Sequence, residues 1–168
     1  MTNELLQNAQ WYAESFTARS LSGEPALHVA VVACMDARLD PRGLLGLRDG
    51  DAHVIRNAGG VVTPDVIRSL TISQRLLGTE EIVLIHHTRC GMLAITNDEF
   101  RERLRADTGM EPDWEPGAFR SLEQSIRQSA AQIAACPFIP YKHSIRGFVF
   151  DVETGSLEEI SLPQLIAR

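Results

Sequence analysis

Hydrophobic and polar positions change their period several times along this chain, and each change predicts an element. Residues 3 to 19 set Leu5, Leu6, Tyr12 and Phe16 among polar neighbours, which is the pattern of an amphipathic helix. The breaker "SGEP" (22–25) leads into "ALHVAVVACMDAR", a near-continuous, β-branched apolar run of the kind found in buried parallel strands. "PRGLLGL" predicts a short helix opened by Pro41, and "DAHVIRNAGG" a second strand over Ala52–Ile55 that empties into a glycine-containing loop. Thr63, Pro64 and Asp65 supply an N-cap, a proline at the first helical position and an acid in the first turn. The helix they start carries Val66, Ile67, Leu70, Leu76 and Leu77 and stops at Gly78. "EIVLIHH" is a third buried strand. Phe100 and Leu104 mark a charged helix over residues 97–107, and Phe119, Leu122, Ile126 and Ile133 a longer one ended by Pro137. "IRGFVFDVETGSLEEISL" alternates on either side of a turn at Glu153–Ser156, a β-hairpin.

Strands alternating with helices predict an α/β fold. It has a mostly parallel central β-sheet flanked by helices on both faces and a C-terminal β-hairpin, in a single domain over residues 1–168. That length buries a core without disulfide staples. The 16 basic and 22 acidic residues leave a net charge of −6, which argues against nucleic acid or an anionic membrane surface as the main partner. Arg101, Arg103 and Arg105 read as a solvated helix face, with a local basic patch as the alternative. The longest nearly apolar run, Val29–Met35, is far too short to span a bilayer, and the polar start lacks the apolar stretch of a signal peptide. Three widely spread cysteines do not suggest a secreted disulfide framework, so a reducing cytoplasm is expected.

The chemistry concentrates at strand ends, where ligands of parallel sheets bind. "LIHHTRCG" (84–91) places His87 and Cys90 in H-x-x-C spacing at the end of the third strand. "CMDAR" (34–38) follows the first. A parallel neighbour brings Cys34, His87 and Cys90 to one sheet edge, and two thiolates with one imidazole and an open position is the pattern of a catalytic zinc. If the chain stays extended, Cys34, Asp36 and Arg38 point to one side. Asp36 and Arg38 are costly to bury unless they pair with each other. The glycines of "RNAGG" let the backbone pass close, making Asn57 and Gly59 cleft residues or parts of a plain strand-to-helix connection. His86 is packing or a supporting residue, Cys136 packing, and His28, His53 and His143 structural or surface residues. The aromatics Trp11, Tyr12 and Phe16 suit either packing on their own subunit or an interface.

"CMDAR", "VIRNAGG" and "HHTRCG", in this order and spacing, resemble the β-class carbonic anhydrases, most closely the short bacterial members, over residues 3–162. The resemblance implies one zinc ion per chain held by Cys34, His87 and Cys90, an Asp36–Arg38 catalytic dyad, and the Gly91 N–H meeting substrate oxygens. It implies reversible hydration of carbon dioxide to bicarbonate and a proton by a metal-acidified water. It also implies a homodimer or dimer of dimers, with the active cleft at the subunit interface, a place that the aromatic N-terminal helix would suit. A sibling hydrolase of carbonyl sulfide or carbon disulfide and a catalytically silent zinc-binding sensor are the alternatives. Arg89 departs from expectation by placing a cation between two ligands.

Overall fold

The computed structural model describes residues 1–17 and 20–163. In chain order the elements are α1 (Thr2–Ser15), β1 (Val29–Cys34), α2 (Pro41–Leu45), β2 (Ala52–Asn57), α3 (Pro64–Leu77), β3 (Glu81–His87), α4 (Asn97–Thr108), α5 (Leu122–Ala135), β4 (Ile145–Phe150) and β5 (Leu157–Ile160). The five strands form one sheet in the order β2-β1-β3-β4-β5. The first four run parallel and β5 returns antiparallel to β4, as the alternating hairpin pattern predicts.

Local chemistry sets most of the helix ends. Asp40 caps α2 by accepting from Arg42 N and Gly43 N. The Thr63 hydroxyl accepts from Val66 N, and α3 closes on Gly78 in the left-handed conformation. Thr96 and Glu99 form a reciprocal capping box on α4. Three expectations need correction. α1 ends at Ser15, with Phe16 already extended, and part of the expected 3–19 span lies outside the described residues. β2 continues past Ile55 to Asn57, because its pairing with β1 carries on to Cys34. Phe119 stands ahead of α5, in the loop that Ser121 caps, where its ring packs on His86.

The sheet is covered on both faces, unequally. On one face Ala30, Val32, Ile82 and Leu84 meet Val66 and Leu70 of α3 and Ala130 and Ile133 of α5. Fully burying a Leu or Ile of this kind contributes about 1.5–3 kcal/mol. The other face, with Val31, Ala33 and Ile85, is covered by Leu39 and by Leu44 and Leu45 of the short α2. α1 buries none of its residues and leaves Leu5, Leu6, Trp11 and Tyr12 exposed. No helix among the described residues is long and apolar enough to cross a membrane.

Parallel pairing sets the level at which the strands end. Ala33 pairs with Ile85 and Cys34 with Asn57, so β1, β2 and β3 deliver their carboxyl ends side by side. The 3-10 turn Ala58–Gly60 crosses directly over those ends. At Gly60, φ is +68°, and a Cβ would sit 2.7 Å from Cys34 N and 3.0 Å from Ile85 O, both immovable backbone. Gly60→Ala is therefore expected to cost about 3 kcal/mol, from a left-handed penalty of about 1–2 kcal/mol plus overpacking of similar size. For a domain of this size that lowers Tm by roughly 6–12 °C, which a thermal melt reads directly.

Candidate metal centre

β1 ends at Cys34, β3 ends at His87, and a two-residue connection brings Cys90 back beside them. Cys34 and Cys90 are each 4% exposed and His87 is 0% exposed. One ligand atom from each residue lies within 4.8 Å of the other two, and the sulfurs are 3.9 Å apart. Tetrahedral zinc with Zn–S bonds near 2.3 Å needs two sulfurs roughly 3.8 Å apart.

The histidine is prepared for the same role. Its Nδ1–H donates to the Thr88 carbonyl at 2.8 Å, which places the ring proton there and leaves a lone pair on Nε2. That Nε2 is buried without a hydrogen-bond partner. A bare imidazole nitrogen facing two sulfurs costs desolvation free energy with nothing in the protein to offset it; a cation supplies the missing partner. The donor set therefore fits zinc. The thiols titrate as a pair. The Cys90 S–H hydrogen bond holds the Cys34 thiol well below its ordinary value, with further help from His87. Cys90 is pushed up by donating to Cys34 and by burial. Burial alone would lower His87, but the neighbouring Cys34 sulfur, the bond to the Thr88 carbonyl and the nearby Asp36 carboxylate outweigh that and raise it.

Asp36 lies beside this cluster, its Oδ2 3.7 Å from His87 Nε2. It reaches Arg38 differently from the extended-chain expectation. β1 stops at Cys34 and the chain turns at Ala37–Arg38, closed by Leu39 N donating to the Asp36 carbonyl at 3.0 Å. The turn, not strand alternation, folds Arg38 back onto Asp36. Arg38 Nε donates to Oδ1 (2.9 Å), Nη2 to Oδ2 (2.8 Å) and the backbone N to Oδ1 (3.0 Å), a bidentate pair with a third bond. These bonds hold the Asp36 carboxyl well below the usual carboxylate range, so it is ionised at neutral pH.

Arg56 is a clamp beside the site that its sequence context does not single out. From the end of β2, its Nε and Nη2 donate to the Cys34 carbonyl (3.0 and 2.9 Å), and Nη2 also to the carbonyls of Asp36 (2.8 Å) and Leu39 (2.7 Å). One guanidinium thus ties down the whole segment that carries a sulfur donor and the carboxylate. The available signal was a lone cation ending an apolar strand in "VIRNAGG".

The expected cleft residues sit around the same strand ends. Asn57 donates Nδ2 to the Val61 carbonyl at 2.8 Å and leaves a buried, unpartnered Oδ1. Gly59 is buried at φ +81°, and a Cβ there would meet Phe119 at 3.1 Å and Met92 at 3.2 Å. Gly91 opens the 3-10 turn after Cys90, with open space where a side chain would stand. His86 is packing as expected: fully buried, bonded through Nε2 to Ser125 Oγ at 2.9 Å, its pKa pushed by burial down to about 4. His28 bonds the Gly78 carbonyl and His53 the Ser73 hydroxyl, while exposed His143 stands edge-on to Tyr141. A cavity of about 560 Å³ between Trp114, Phe119 and α5 has none of the three metal donors in its wall.

A parallel sheet with two sulfurs, an imidazole and a clamped carboxylate at its carboxyl edge defines a metal-dependent enzyme of the α/β class. The family model for carbonic anhydrase matches residues 29–157. The chain is 52% identical over 161 residues to β-carbonic anhydrase 1 of Mycobacterium tuberculosis, covering 96% of this chain and 98% of that one. The solved structure of carbonic anhydrase from Streptococcus mutans superposes with a TM-score of 0.88 at 43% identity, over 95% of this chain and 96% of that one. A carbon disulfide hydrolase of Acidithiobacillus thiooxidans is 38% identical over 148 residues, covering 76% of this chain and 74% of that one. The chain belongs to the β-carbonic anhydrase family. Members are zinc-dependent lyases that interconvert carbon dioxide and bicarbonate, and the Cys-His-Cys group is suited to that ion.

Proposed function

We propose that Cys34, His87 and Cys90 hold the zinc ion and that Asp36, kept in place by Arg38, orients the nucleophile for attack on carbon dioxide. The buried, partnerless His87 Nε2, facing both sulfurs with Asp36 Oδ2 at 3.7 Å, carries this reading. When bound, zinc supplies a water acidic enough to act as nucleophile near neutral pH. Everything else is work for the protein. Asp36, ionised and acceptor-only, takes the O–H of the attacking nucleophile and turns its lone pair toward the substrate carbon. Arg38 occupies both carboxylate oxygens, which would keep Asp36 from turning toward an ion held by Cys34, His87 and Cys90. Asn57, Gly59 and Gly91 flank the space where the substrate lies, with the Gly91 N–H available to a bicarbonate oxygen.

The test is stopped-flow hydration of carbon dioxide by zinc-loaded protein from about pH 6.5 to about pH 9, a range that brackets titration of the metal's water. Hydration is expected to rise with pH, since two thiolates cancel the ion's charge and leave its water a weaker acid. Hydrogen sulfide release from carbonyl sulfide and carbon disulfide is read alongside. Sulfide release without hydration would transfer the site to the activity named for the Acidithiobacillus relative. Full zinc occupancy with neither activity would make it a sensor.

We also place the chain in a homodimer or dimer of dimers, with α1 against a second copy. A helix of 14 residues that buries none of its own side chains, with Trp11 58% and Tyr12 57% exposed, presents the aromatic surface that interfaces use. Light scattering should give at least twice the chain mass, and deleting residues 1–15 should lower it; a monomeric full-length chain would refute the assignment. Two thiols 3.9 Å apart stay available to a metal only where they are kept reduced, which favours the cytoplasm.

A further inference from the structure

The connection from His87 to Cys90 is tied down at one residue and bent at the next. Thr88 N donates to the Phe150 carbonyl at 2.9 Å, and its hydroxyl accepts from Val152 N at 3.1 Å, so Thr88 is still held by the β4–β5 hairpin. Arg89 then adopts φ +55°, in the left-handed region that residues with a Cβ enter at a cost. Its side chain offers little in return: it pairs with Glu153 at 2.9 Å, but the two side chains are 65% and 57% exposed, and such pairs contribute little. What the conformation places is the Arg89 carbonyl. That oxygen accepts from Arg38 Nη2 at 3.1 Å, and the same Nη2 holds Asp36 Oδ2 at 2.8 Å. The guanidinium is thus seated between the carboxylate it controls and one main-chain oxygen from the neighbouring strand's loop.

We propose that position 89 is a positioning residue that acts through its main chain: the left-handed turn at Arg89 aims the carbonyl that seats Arg38 and so sets the Asp36 carboxylate, while the guanidinium of Arg89 is incidental. The inference rests on the reading of Asp36 and Arg38 given above. Rotating φ out of the left-handed region swings the peptide plane between Arg89 and Cys90. The carbonyl then leaves Arg38, which keeps only its bonds to Asp36 and gains freedom to carry the carboxylate with it. Sensitivity at this position should follow the cost of the left-handed conformation, not side-chain charge. That cost is highest for β-branched residues, ordinary for lysine and arginine, small for asparagine and absent for glycine.

The test is a series at this position in the zinc-loaded full chain, with Arg38→Ala as reference. Arg89→Val is expected to lower kcat about tenfold, the scale for losing a partner that orients a metal-site group. Arg89→Gly and Arg89→Asn, which restore the turn without the charge, are expected to rescue kcat to within about twofold of the unaltered chain. The visible spectrum of cobalt(II)-loaded protein gives a readout besides turnover, because its bands follow the donor set and geometry. It should change in the valine variant and match the unaltered chain in the glycine and asparagine variants. If Arg89→Lys keeps kcat while the glycine and asparagine variants lose it tenfold, the charge matters and the inference is overturned. This comparison decides the matter even if the valine variant fails to fold or bind metal. A valine variant with unaltered kcat and spectrum overturns it equally. Full activity in Arg38→Ala would sink the dyad reading itself, whereas loss in Arg38→Ala beside an intact valine variant would sink this inference alone.

Discussion

Cys34→Ser, Cys90→Ser and His87→Asn are each expected to lose zinc and to reduce carbon dioxide hydration by at least about 10³-fold, because the nucleophile depends on the metal. Serine is close to isosteric with cysteine, but its hydroxyl stays protonated and makes a poor zinc donor. Asparagine keeps polarity at position 87 without the Nε2 lone pair that faces the sulfurs. Metal analysis and stopped-flow hydration on the same preparations separate loss of the ion from loss of chemistry. A variant that keeps both full zinc and full activity would remove that residue from the ligand set. Stability should fall with the ion. A ligand at a thousandfold excess over its Kd stabilises the folded state by about 4 kcal/mol. At about 2–4 °C per kcal/mol for a chain of this size, stripping zinc with a chelator should lower Tm by roughly 8–16 °C. The donors are fully or almost fully buried, so removing the ion strands polar atoms that water cannot reach.

Arg38→Ala should separate function from fold. The Arg38 and Asp36 side chains are 49% and 20% exposed, and an ion pair at such a surface contributes at most about 1 kcal/mol to stability. Tm should therefore move little and zinc content stay full. Activity should fall about 10–100-fold, the range for losing a group that orients metal-site chemistry. The variant keeps only the main-chain N–H bond to Asp36 Oδ1, so the carboxylate becomes free to turn toward the donor cluster, where His87 Nε2 stands 3.7 Å away. Asp36→Asn should lose a comparable factor. The double variant should lose hardly more than either single one, because the two side chains act as one unit. An Arg38→Ala enzyme with undiminished hydration would show that the pair does not serve the reaction.

Much of this architecture was legible because it is written in short stretches. The β-branched runs before Cys34 and His87 are strands by composition alone, since a helix has no use for so many branched neighbours on every face. Thr63-Pro64 and Gly78 bound α3 through chemistry confined to one turn at each end. H-x-x-C brings two donors together within four residues, and its pairing with "CMDAR" was readable once parallel neighbours were assumed. The turn at Ala37–Arg38 was not readable, because "CMDAR" alternates as a strand would and nothing in it announces where the β1 ladder stops. Phe119 fits the apolar period of α5 but stands outside it, because Ser121 caps the helix later and the ring finds His86 instead.

By itself, the sequence determined which segments become strands and helices, the order of the donors along the chain, and the chemistry they can perform. Only the tertiary structure decided that Arg56 of β2 ties down the carbonyls of Cys34, Asp36 and Leu39, and that Gly60 must lack a side chain to pass over the end of β1. It also decided that Arg38 is seated by a carbonyl 51 residues away. Propensities, caps and spacing act over a few bonds and leave a local trace. A hydrogen bond to a main-chain oxygen leaves none, because every residue carries that oxygen and only the folded chain determines which one a guanidinium meets.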